Sequence, residues 1–365
     1  MSRDKIVRSS PLCRASYDPN VDHSSHPTLD RLRDRARGCL LGGALGDALG
    51  APVEFLSLNL IRQRHPEGVD FPQSGLVTDD TQMTLFTADG LIRAAVAGDR
   101  EPDQQLWQAY QRWLRTQGLV DPFPETSDWL LGHRELWAAR APGMTCVSAL
   151  RDGKPGRTDA PINNSKGCGG VMRAAPAGFL PEPEAAYRVG CALSALTHGH
   201  PSGWIAGGAL ALLVHLLAVR DVPLTVALME VERRVAAEPE GGEVREALAT
   251  AVDAARRQPS DTTTLVTLGE GWVAEEALAI AVYAALSHPN GVVAALRLAV
   301  EHSGDSDSTG AITGNILGAM LGTGALPADW LARVELRDVL TTVADDLVDA
   351  YAGNLARLTD RYPPS

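Results

Sequence analysis

Helical periodicity dominates the pattern of apolar and polar positions along this chain. Apolar residues recur at intervals of three and four, as they do on the buried face of a helix. One such stripe consists of Trp107, Tyr110, Trp113 and Leu114. The sequence shows no alternation typical of β-strands, no βαβ unit and no regular repeat. The pattern therefore predicts an all-α fold, a compact single domain of many helices.

The predicted helices occupy residues 29–361, which we take as one helical domain. Residues 1–28 carry Ser, Pro, His and mixed charges without a period, which predicts a disordered leader. Thr28 is the predicted N-cap of the first helix. Pro and Gly residues predict loops at 56–77 and 151–162. Later helices are expected at 185–196, 203–219, 223–237, 243–257, 273–286, 292–301, 309–321 and 336–358.

A row of glycines marks one face of the first helix. Gly42, Gly46 and Gly50 are four residues apart and therefore share that face. Each glycine costs a helix about 1 kcal/mol relative to alanine. We expect that another helix approaches this face closely enough to require glycine.

Two acidic clusters lie near opposite ends of the chain, each directly before an apolar segment. Their oxygen-bearing residues are Thr78, Asp79 and Asp80 in the first cluster and Asp305, Asp307 and Ser308 in the second. Carboxylate and hydroxyl oxygens suit Mg²⁺, Mn²⁺ or Ca²⁺ better than Zn²⁺. We expect folding to bring the clusters together as a site for two divalent cations, roughly 3.5–4 Å apart. The alternative for Asp79 and Asp80 is a structural position at a helix N-terminus, where carboxylates are favoured.

A glycine-rich segment at 163–173 is the third candidate element. Gly167, Gly169 and Gly170 could free backbone N–H groups to face an anion. The apolar residues that follow could open a helix, whose N-terminus would add to this attraction. A plain flexible loop is the alternative.

Composition excludes several classes of protein. The 365 residues carry a net charge of −12, which argues against a general nucleic-acid or acidic-membrane binder. The five cysteines form no CxxC pair and suggest no zinc site, and reduced thiols fit a cytoplasmic protein. We see no signal-peptide pattern, and the most apolar run, 204–219, is too short to span a bilayer easily.

Taken together, these segments resemble the ADP-ribosylglycohydrolase family. This is the family of dinitrogenase-reductase-activating glycohydrolase and of the ADP-ribosylarginine and ADP-ribosylserine hydrolases. The matching blocks occur in the family's order and cover about residues 36 to 325. They are residues 38–50 with Glu54, 78–81, 165–173, 197–198 and 304–310. Each block alone is weak evidence for the family, but the five blocks together are specific for it.

The resemblance implies a role for each matched residue. The two acidic clusters would supply the metal ligands Thr78, Asp79, Asp80, Asp305, Asp307 and Ser308. The loop residues Ser165, Gly167, Cys168 and Gly169 would hold the diphosphate of the substrate, with His198 near the ribose or phosphate. Many relatives have asparagine in place of Cys168. Asp47 would contact the metal ligands and would not bind the cations itself.

Glycosidic hydrolysis needs a base that activates water and an acid that protonates the leaving group. Glu54 matches an acidic residue that touches a metal or the attacking water in serine-specific members of the family. Glu54, Asp79 and Asp80 are therefore the candidates for handling the proton, with acid and base not divided among them.

The implied function is metal-dependent hydrolysis of the bond between ADP-ribose and an acceptor, with two Mg²⁺ or Mn²⁺ ions as cofactors. The second cluster, Gly-Asp-Ser-Asp-Ser at 304–308, resembles the arginine-specific branch more than the serine-specific branch, which typically reads Gly-Asp-Thr-Asp-Thr. This resemblance favours an ADP-ribosylated protein modified on arginine as substrate. Alternatives are a serine linkage, modified nucleic acid, O-acetyl-ADP-ribose, a catalytically silent ADP-ribose-binding protein, or an immunity protein that blocks a toxin. We expect a monomer and no membrane partner.

Overall fold

The computed structural model describes residues 28–99, 101–118, 126 and 128–363. In these residues the regular secondary structure is helical, with two isolated β-bridges, and the predicted all-α single-domain class is confirmed. The α-helices are α1 (Leu29–Gly50), α2 (Leu58–Arg64), α3 (Asp79–Ala97), α4 (Asp103–Thr116), α5 (Met144–Arg151), α6 (Pro183–Ala195), α7 (Pro201–Ala218), α8 (Leu224–Val235), α9 (Gly242–Arg257), α10 (Thr262–Leu265), α11 (Ala274–Ser287), α12 (Val292–Val300), α13 (Ser306–Leu321), α14 (Ala328–Leu331) and α15 (Arg337–Tyr351).

The start of α1 agrees with the sequence prediction. The Thr28 hydroxyl accepts the N–H of Arg31 at 3.3 Å, which is the expected N-cap bond. Apart from Thr28, the predicted leader at 1–28 lies outside the described residues.

The glycine face of α1 packs directly on a second glycine face, on α13. A Cβ added at Gly46 would lie 1.9 Å from the carbonyl oxygen of Gly310, and one added at Gly42 would lie 2.4 Å from that of Gly314. The contact is reciprocal, because a Cβ at Gly314 would lie 1.9 Å from the carbonyl oxygen of Gly42. The predicted close helix approach is confirmed. Residues further along α1 meet residues nearer the start of α13, so the two helices are antiparallel.

This packing brings three helix ends together. The C-terminal end of α1 lies beside the N-terminal end of α13, where a Cβ at Gly50 would meet the carbonyl oxygen of Ser306 at 2.3 Å. The Asp47 carboxylate, on α1, accepts the N–H groups of Thr78 (3.0 Å) and Thr81 (3.1 Å) at the start of α3. The two acidic segments are therefore positioned by the same helix.

The helix α7 forms the centre of a second group of helices with α6 and α11. Pro201–Ala218 is long and apolar enough to span a membrane by length and composition, but 94% of it is buried inside the protein. An apolar helix buried on all sides is typical of the core of a large globular domain.

Several predicted boundaries were wrong. The loop expected at 56–77 contains α2, whose first turn is capped by the Ser57 hydroxyl. The helix expected at 309–321 begins at Ser306, because the Asp305 carboxylate accepts the N–H of Ser308 at 3.3 Å and caps it. The helix expected at 336–358 ends at Tyr351, shortly before Gly353 with its φ of 76°.

The glycine contact gives a testable prediction for stability. Gly42→Ala should destabilise the protein by about 3 kcal/mol, because the new methyl group overlaps the backbone of α13. Gly242→Ala, where no neighbouring atom lies within 4 Å of the added Cβ, should change stability by less than about 0.5 kcal/mol. Urea denaturation of both variants checks this, and equal effects would contradict the close approach.

Candidate functional site

Most of the predicted site residues meet in one cavity of about 350 Å³. All five carboxylates of the predicted set line it. They are joined by Ser308, Gly167, Cys168, Gly169 and His198. The exceptions are Thr78 and Ser165, which do not line the cavity. A larger surface groove of about 700 Å³ near α8 and α9 contains none of the predicted residues, so we place the site by its chemistry.

The carboxylates form a compact cluster. Ligand atoms of Glu54, Asp305 and Asp307 all lie within 4.8 Å of one another. Asp79 and Asp80 are buried at the start of α3 and face the same cavity. The expectation that the two acidic clusters come together is therefore confirmed by the fold.

Burial raises the pKa of these groups, and their mutual repulsion adds to the effect. Burial, followed by the charges of Asp307 and other carboxylates, raises the pKa of Asp80 well above its usual value. Burial and then the charge of Asp305 raise the pKa of Asp307 in the same way. For Glu54, burial and the neighbouring Asp307 raise the pKa to about 8.

The donor set fits hard divalent cations. Carboxylate and hydroxyl oxygens are the ligands that such cations prefer. The buried oxygen Oδ2 of Asp80 has no hydrogen-bond partner among the described residues, although a buried polar atom normally has one. No lysine or arginine in the described part of the chain lines the cavity to neutralise the carboxylates. A bound cation would give Oδ2 of Asp80 a partner and would supply the positive charge that neutralises the carboxylates.

Thr78 has a different position from its predicted partners. Its hydroxyl accepts the N–H of Asp80 at 3.3 Å, as the N-cap of α3, and its own N–H is bound by Asp47. The neighbouring Asp79 accepts the N–H of Gly143 at 3.1 Å through Oδ2. The start of α3 is thus held from both sides, which fixes the direction of its two carboxylates.

Cys168 joins the glycine loop to the acidic cluster. Its thiol donates to Oδ2 of Asp305 at 2.7 Å, and its sulfur lies 3.7 Å from the Ser308 hydroxyl. Burial and the charge of Asp305 raise the pKa of Cys168, so the thiol stays protonated and acts as a donor. Cys168 therefore touches the predicted metal ligands Asp305 and Ser308 and not only the predicted diphosphate loop.

The glycine loop is fixed by backbone bonds and offers fewer free N–H groups than expected. The Gly167 N–H is bound by the Ser165 hydroxyl at 3.3 Å, and the Cys168 N–H by the carbonyl of Trp272 at 3.1 Å. The expected helix after the loop is absent from these described residues, because turns continue to the 3₁₀ segment Ala175–Phe179. Any anion here is therefore held without a helix N-terminus directly behind the loop.

A hydrogen-bonded chain of buried residues leads to His198. Arg173 donates to the Thr197 hydroxyl at 2.7 Å, and that hydroxyl lies 2.8 Å from Nδ1 of His198. Burial and the charge of Arg173 lower the pKa of His198 to about 3, so the ring is neutral. The other ring nitrogen, Nε2, lies on the side of Gly167 and Gly169.

Comparison with known proteins now identifies the family. The family model described as ADP-ribosylglycohydrolase matches residues 28–356. The chain belongs to the ADP-ribosylglycohydrolase family. The activity class is accordingly hydrolysis of a glycosidic linkage to ADP-ribose.

Individual relatives of this ADP-ribosylglycohydrolase are distant. An uncharacterized protein of Archaeoglobus fulgidus is 27% identical over 88% of this chain and 98% of its own length. The ADP-ribosyl-[dinitrogen reductase] glycohydrolase of Rhodospirillum rubrum is 25% identical, covering 84% of this chain and 92% of that protein. An ADP-ribosylarginine hydrolase of Pseudomonas putida is 25% identical, and the match covers 95% of this chain and 87% of that protein.

The fold of the family is also confirmed by a solved structure. A chain described as an ADP-ribosylglycohydrolase-related protein complex superposes with a TM-score of 0.60. It is 24% identical in sequence, and the match covers 88% of this chain and 99% of that chain. We take this likeness as evidence for the fold alone.

Sequence reasoning missed part of the cavity wall of this ADP-ribosylglycohydrolase. Phe55, Met144 and Thr145 line the cavity, although no pattern had singled them out. Phe55 follows Glu54 directly, which was a usable signal. Met144 and Thr145 belong to the start of α5, and the hydrogen bonds from Gly143 to Asp79 and between Thr145 and Ser165 show why this segment lies at the site.

The raised pKa values predict how the metal-free protein responds to pH. A carboxyl whose pKa is higher in the folded state stabilises the fold at low pH and loses that contribution as pH rises through the folded pKa. In EDTA, the melting temperature should therefore decrease as the pH is raised from about 4 to about 8, where the upper limit is the pKa of Glu54. Mg²⁺ or Mn²⁺ at about 100 times its Kd should add about 2.7 kcal/mol and remove most of this slope.

A variant of one carboxylate tests whether the acidic cluster, and not the rest of the protein, causes this pH dependence. Asp307→Asn removes one of the mutually repelling carboxylates, so it should flatten the slope in EDTA and also reduce the melting-temperature gain with metal. Scanning fluorimetry across pH provides the measurement. A wild-type slope that is unchanged by metal and by the substitution would contradict this account of the cluster.

Proposed function

We propose that the protein hydrolyses the bond between ADP-ribose and an arginine side chain of a modified protein, using two divalent cations, Mg²⁺ or Mn²⁺. The observation that carries this proposal is the convergence of five carboxylates, the glycine loop and His198 in one cavity. The name of one relative, ADP-ribosylarginine hydrolase, supports the arginine linkage, and that of another, ADP-ribosyl-[dinitrogen reductase] glycohydrolase, supports a modified protein as substrate. The serines at positions 306 and 308 are a further argument for arginine.

The residues that would hold the cations are the oxygen donors of the cavity. These are Asp79, Asp80, Asp305, Asp307 and Ser308, with Thr78 behind them. When bound, such cations supply positive charge that orients ribose hydroxyls and a water molecule. Cys168 donates to Asp305 and so helps to fix the direction of its carboxylate.

Among the three candidates for proton transfer, we propose Glu54 as the base. Asp79 and Asp80 are only 4% and 3% exposed and belong to the ligand set, whereas Glu54 is partly exposed to the cavity. Bound cations would lower the pKa of Glu54 below the value of about 8 that it has without them, and its carboxylate would then accept a proton from the water that attacks C1 of the ribose. A modified guanidinium that is still protonated leaves as neutral guanidine, and the proton held by Glu54 then returns to it.

The substrate's diphosphate needs donors at the other side of the cavity. Nε2 of His198 lies there, beside Gly167 and Gly169, and we propose the tautomer that carries the ring proton on this nitrogen. Because burial keeps the ring neutral, its charge would not change through the physiological pH range. We therefore assign His198 to binding and not to proton transfer.

The main prediction concerns linkage and metal. The purified protein should release ADP-ribose from an ADP-ribosyl-arginine peptide in Mg²⁺ or Mn²⁺, and release should stop in EDTA. Asp305→Asn should lower the rate by at least about 100-fold, because it weakens the ligand set while an asparagine can still cap α13. Release is measured by chromatography of free ADP-ribose.

The matched control for this variant is Asp261→Asn. Asp261 also caps a helix, with bonds to the N–H groups of Thr263 and Thr264, but it does not line the cavity. Its rate should stay within about twofold of the wild type. Release from an ADP-ribosyl-serine peptide instead would contradict the arginine linkage while preserving the enzyme. Absence of release from both peptides would contradict hydrolysis of either linkage.

The assignment of Glu54 is tested separately. Glu54→Gln should reduce kcat by about 10²–10⁴-fold, the usual contribution of a general base. Binding of ADP-ribose should change little, since the glycine loop and His198 are untouched. Calorimetry and steady-state kinetics distinguish the two effects, and an unchanged kcat would show that the base lies elsewhere.

A further inference from the structure

Large apolar side chains are exposed around the mouth of the acidic cavity. In the described part of the chain, eight large apolar side chains are exposed, and three of them line this cavity: Phe55, Met144 and Trp272. Met144 at 78% and Phe55 at 70% are the most exposed of the eight. Exposed apolar groups that cluster at a polar site indicate a binding surface, because the fold gains nothing from their exposure.

Two of these side chains form a preformed flat surface. The rings of Phe55 and Trp272 are stacked, with centroids 5.2 Å apart and an interplanar angle of 23°. The backbone of Phe55 is left-handed, with a φ of 64°, which is unfavourable for a residue with a bulky side chain. The carbonyl of Trp272 is held by the N–H of Cys168. The protein thus holds two exposed rings in a stacked arrangement, although the backbone conformation of Phe55 is unfavourable.

The surface lies next to the reacting end of the cavity. Phe55 directly follows Glu54, whose carboxylate lies within 4.8 Å of those of Asp305 and Asp307. Gly271, which precedes Trp272, packs against the backbone of Asp305, with 3.4 Å from an added Cβ to the carbonyl oxygen. A group stacked on this pair would therefore lie beside the carboxylate cluster, to which the proposed function assigns the cleavage of the bond.

The charge of the cavity favours a cation on this surface. Five carboxylates line the cavity, and two divalent cations would still leave it negative. Its lining contains no lysine or arginine among the described residues. A guanidinium group is planar, positively charged and weakly hydrated, and it stacks well on aromatic rings. A neutral aromatic base would gain the stacking but not the charge attraction.

We propose that the stacked rings of Phe55 and Trp272 bind the guanidinium group of the modified arginine and so select this acceptor. The proposal rests on the arginine linkage proposed above and adds the residues that recognise it. Met144, which also lines the cavity, is exposed for contact with the chain that carries the arginine.

The test uses the full-length protein with Mg²⁺ and saturating ADP-ribose. Acetyl-arginine amide is titrated calorimetrically, and acetyl-citrulline amide serves as the neutral probe of the same shape. The wild type should bind the arginine probe about fivefold more tightly than the citrulline probe. Phe55→Leu and Trp272→Leu should reduce this difference to less than about twofold, the part that the carboxylates still supply, whereas Phe55→Tyr, which keeps the ring, should preserve it.

Three controls keep the result interpretable. The Kd of ADP-ribose alone should stay within about twofold in every variant, and melting temperatures should show that each variant is folded. Met229→Ala, at an exposed apolar residue on α8 away from the cavity, should leave both probes unaffected. With ADP-ribosyl-arginine as substrate, Phe55→Leu should raise KM about fivefold and leave kcat within about twofold, because Phe55 binds the acceptor and does not transfer the proton.

Two outcomes would overturn the proposal. In the first, Phe55→Leu weakens ADP-ribose binding as much as arginine binding, which would assign the rings to the adenine base. In the second, the arginine and citrulline probes bind equally to the wild type. Discrimination between the probes without hydrolysis of an arginine linkage would support the guanidinium surface while contradicting the proposed reaction, so the two failures are distinguishable.

Discussion

Direct backbone contact between α1 and α13 is the constraint on which the rest of the structure depends. The carbonyl oxygens of Gly42 and Gly314 each face the Cα of the other residue with no room for a side chain. Such a contact fixes both the distance and the register of the helices, because a shift along the axis would bring a Cβ into a backbone atom. It also determines that the end of α1, and Glu54 shortly after it, meets the start of α13.

The acidic cavity that results destabilises the folded protein when no cation is bound. Burying like charges near one another is unfavourable, and the raised pKa values of Asp80 and Asp307 express that cost. Helix N-termini offset a part of it, since Asp79 and Asp80 lie in the first turn of α3 and Asp305 caps α13. A helix terminus contributes only about 0.3–1 kcal/mol per charge, whereas desolvating an ion costs several kcal/mol. Protons or cations must supply the remainder, which explains why the site fits divalent metals.

Two buried charged residues orient the site without lining it. Asp47 binds N–H groups at the start of α3 and so couples α1 to the first acidic cluster. Arg173 donates to the hydroxyl of Thr197, which lies 2.8 Å from Nδ1 of His198. The donors on α3 offset the cost of burying the charge of Asp47, whereas Nε of Arg173 has no hydrogen-bond partner among the described residues.

The sequence by itself determined the features that depend on local spacing and composition. The apolar periodicity indicated the helices, the four-residue glycine interval indicated a helix contact, and the oxygen-rich clusters at Asp79 and Asp305 indicated a site for hard cations. Helix starts that depend on a side-chain cap were less accurate, as at Ser306, where the Asp305 cap moved the boundary. Only the tertiary structure decided that Cys168 touches Asp305, that Thr78 lies outside the cavity and that Phe55 and Trp272 stack at its mouth. Those facts depend on distances between segments far apart in the chain, and such distances are set by how helices pack and not by the residues on either side of each position.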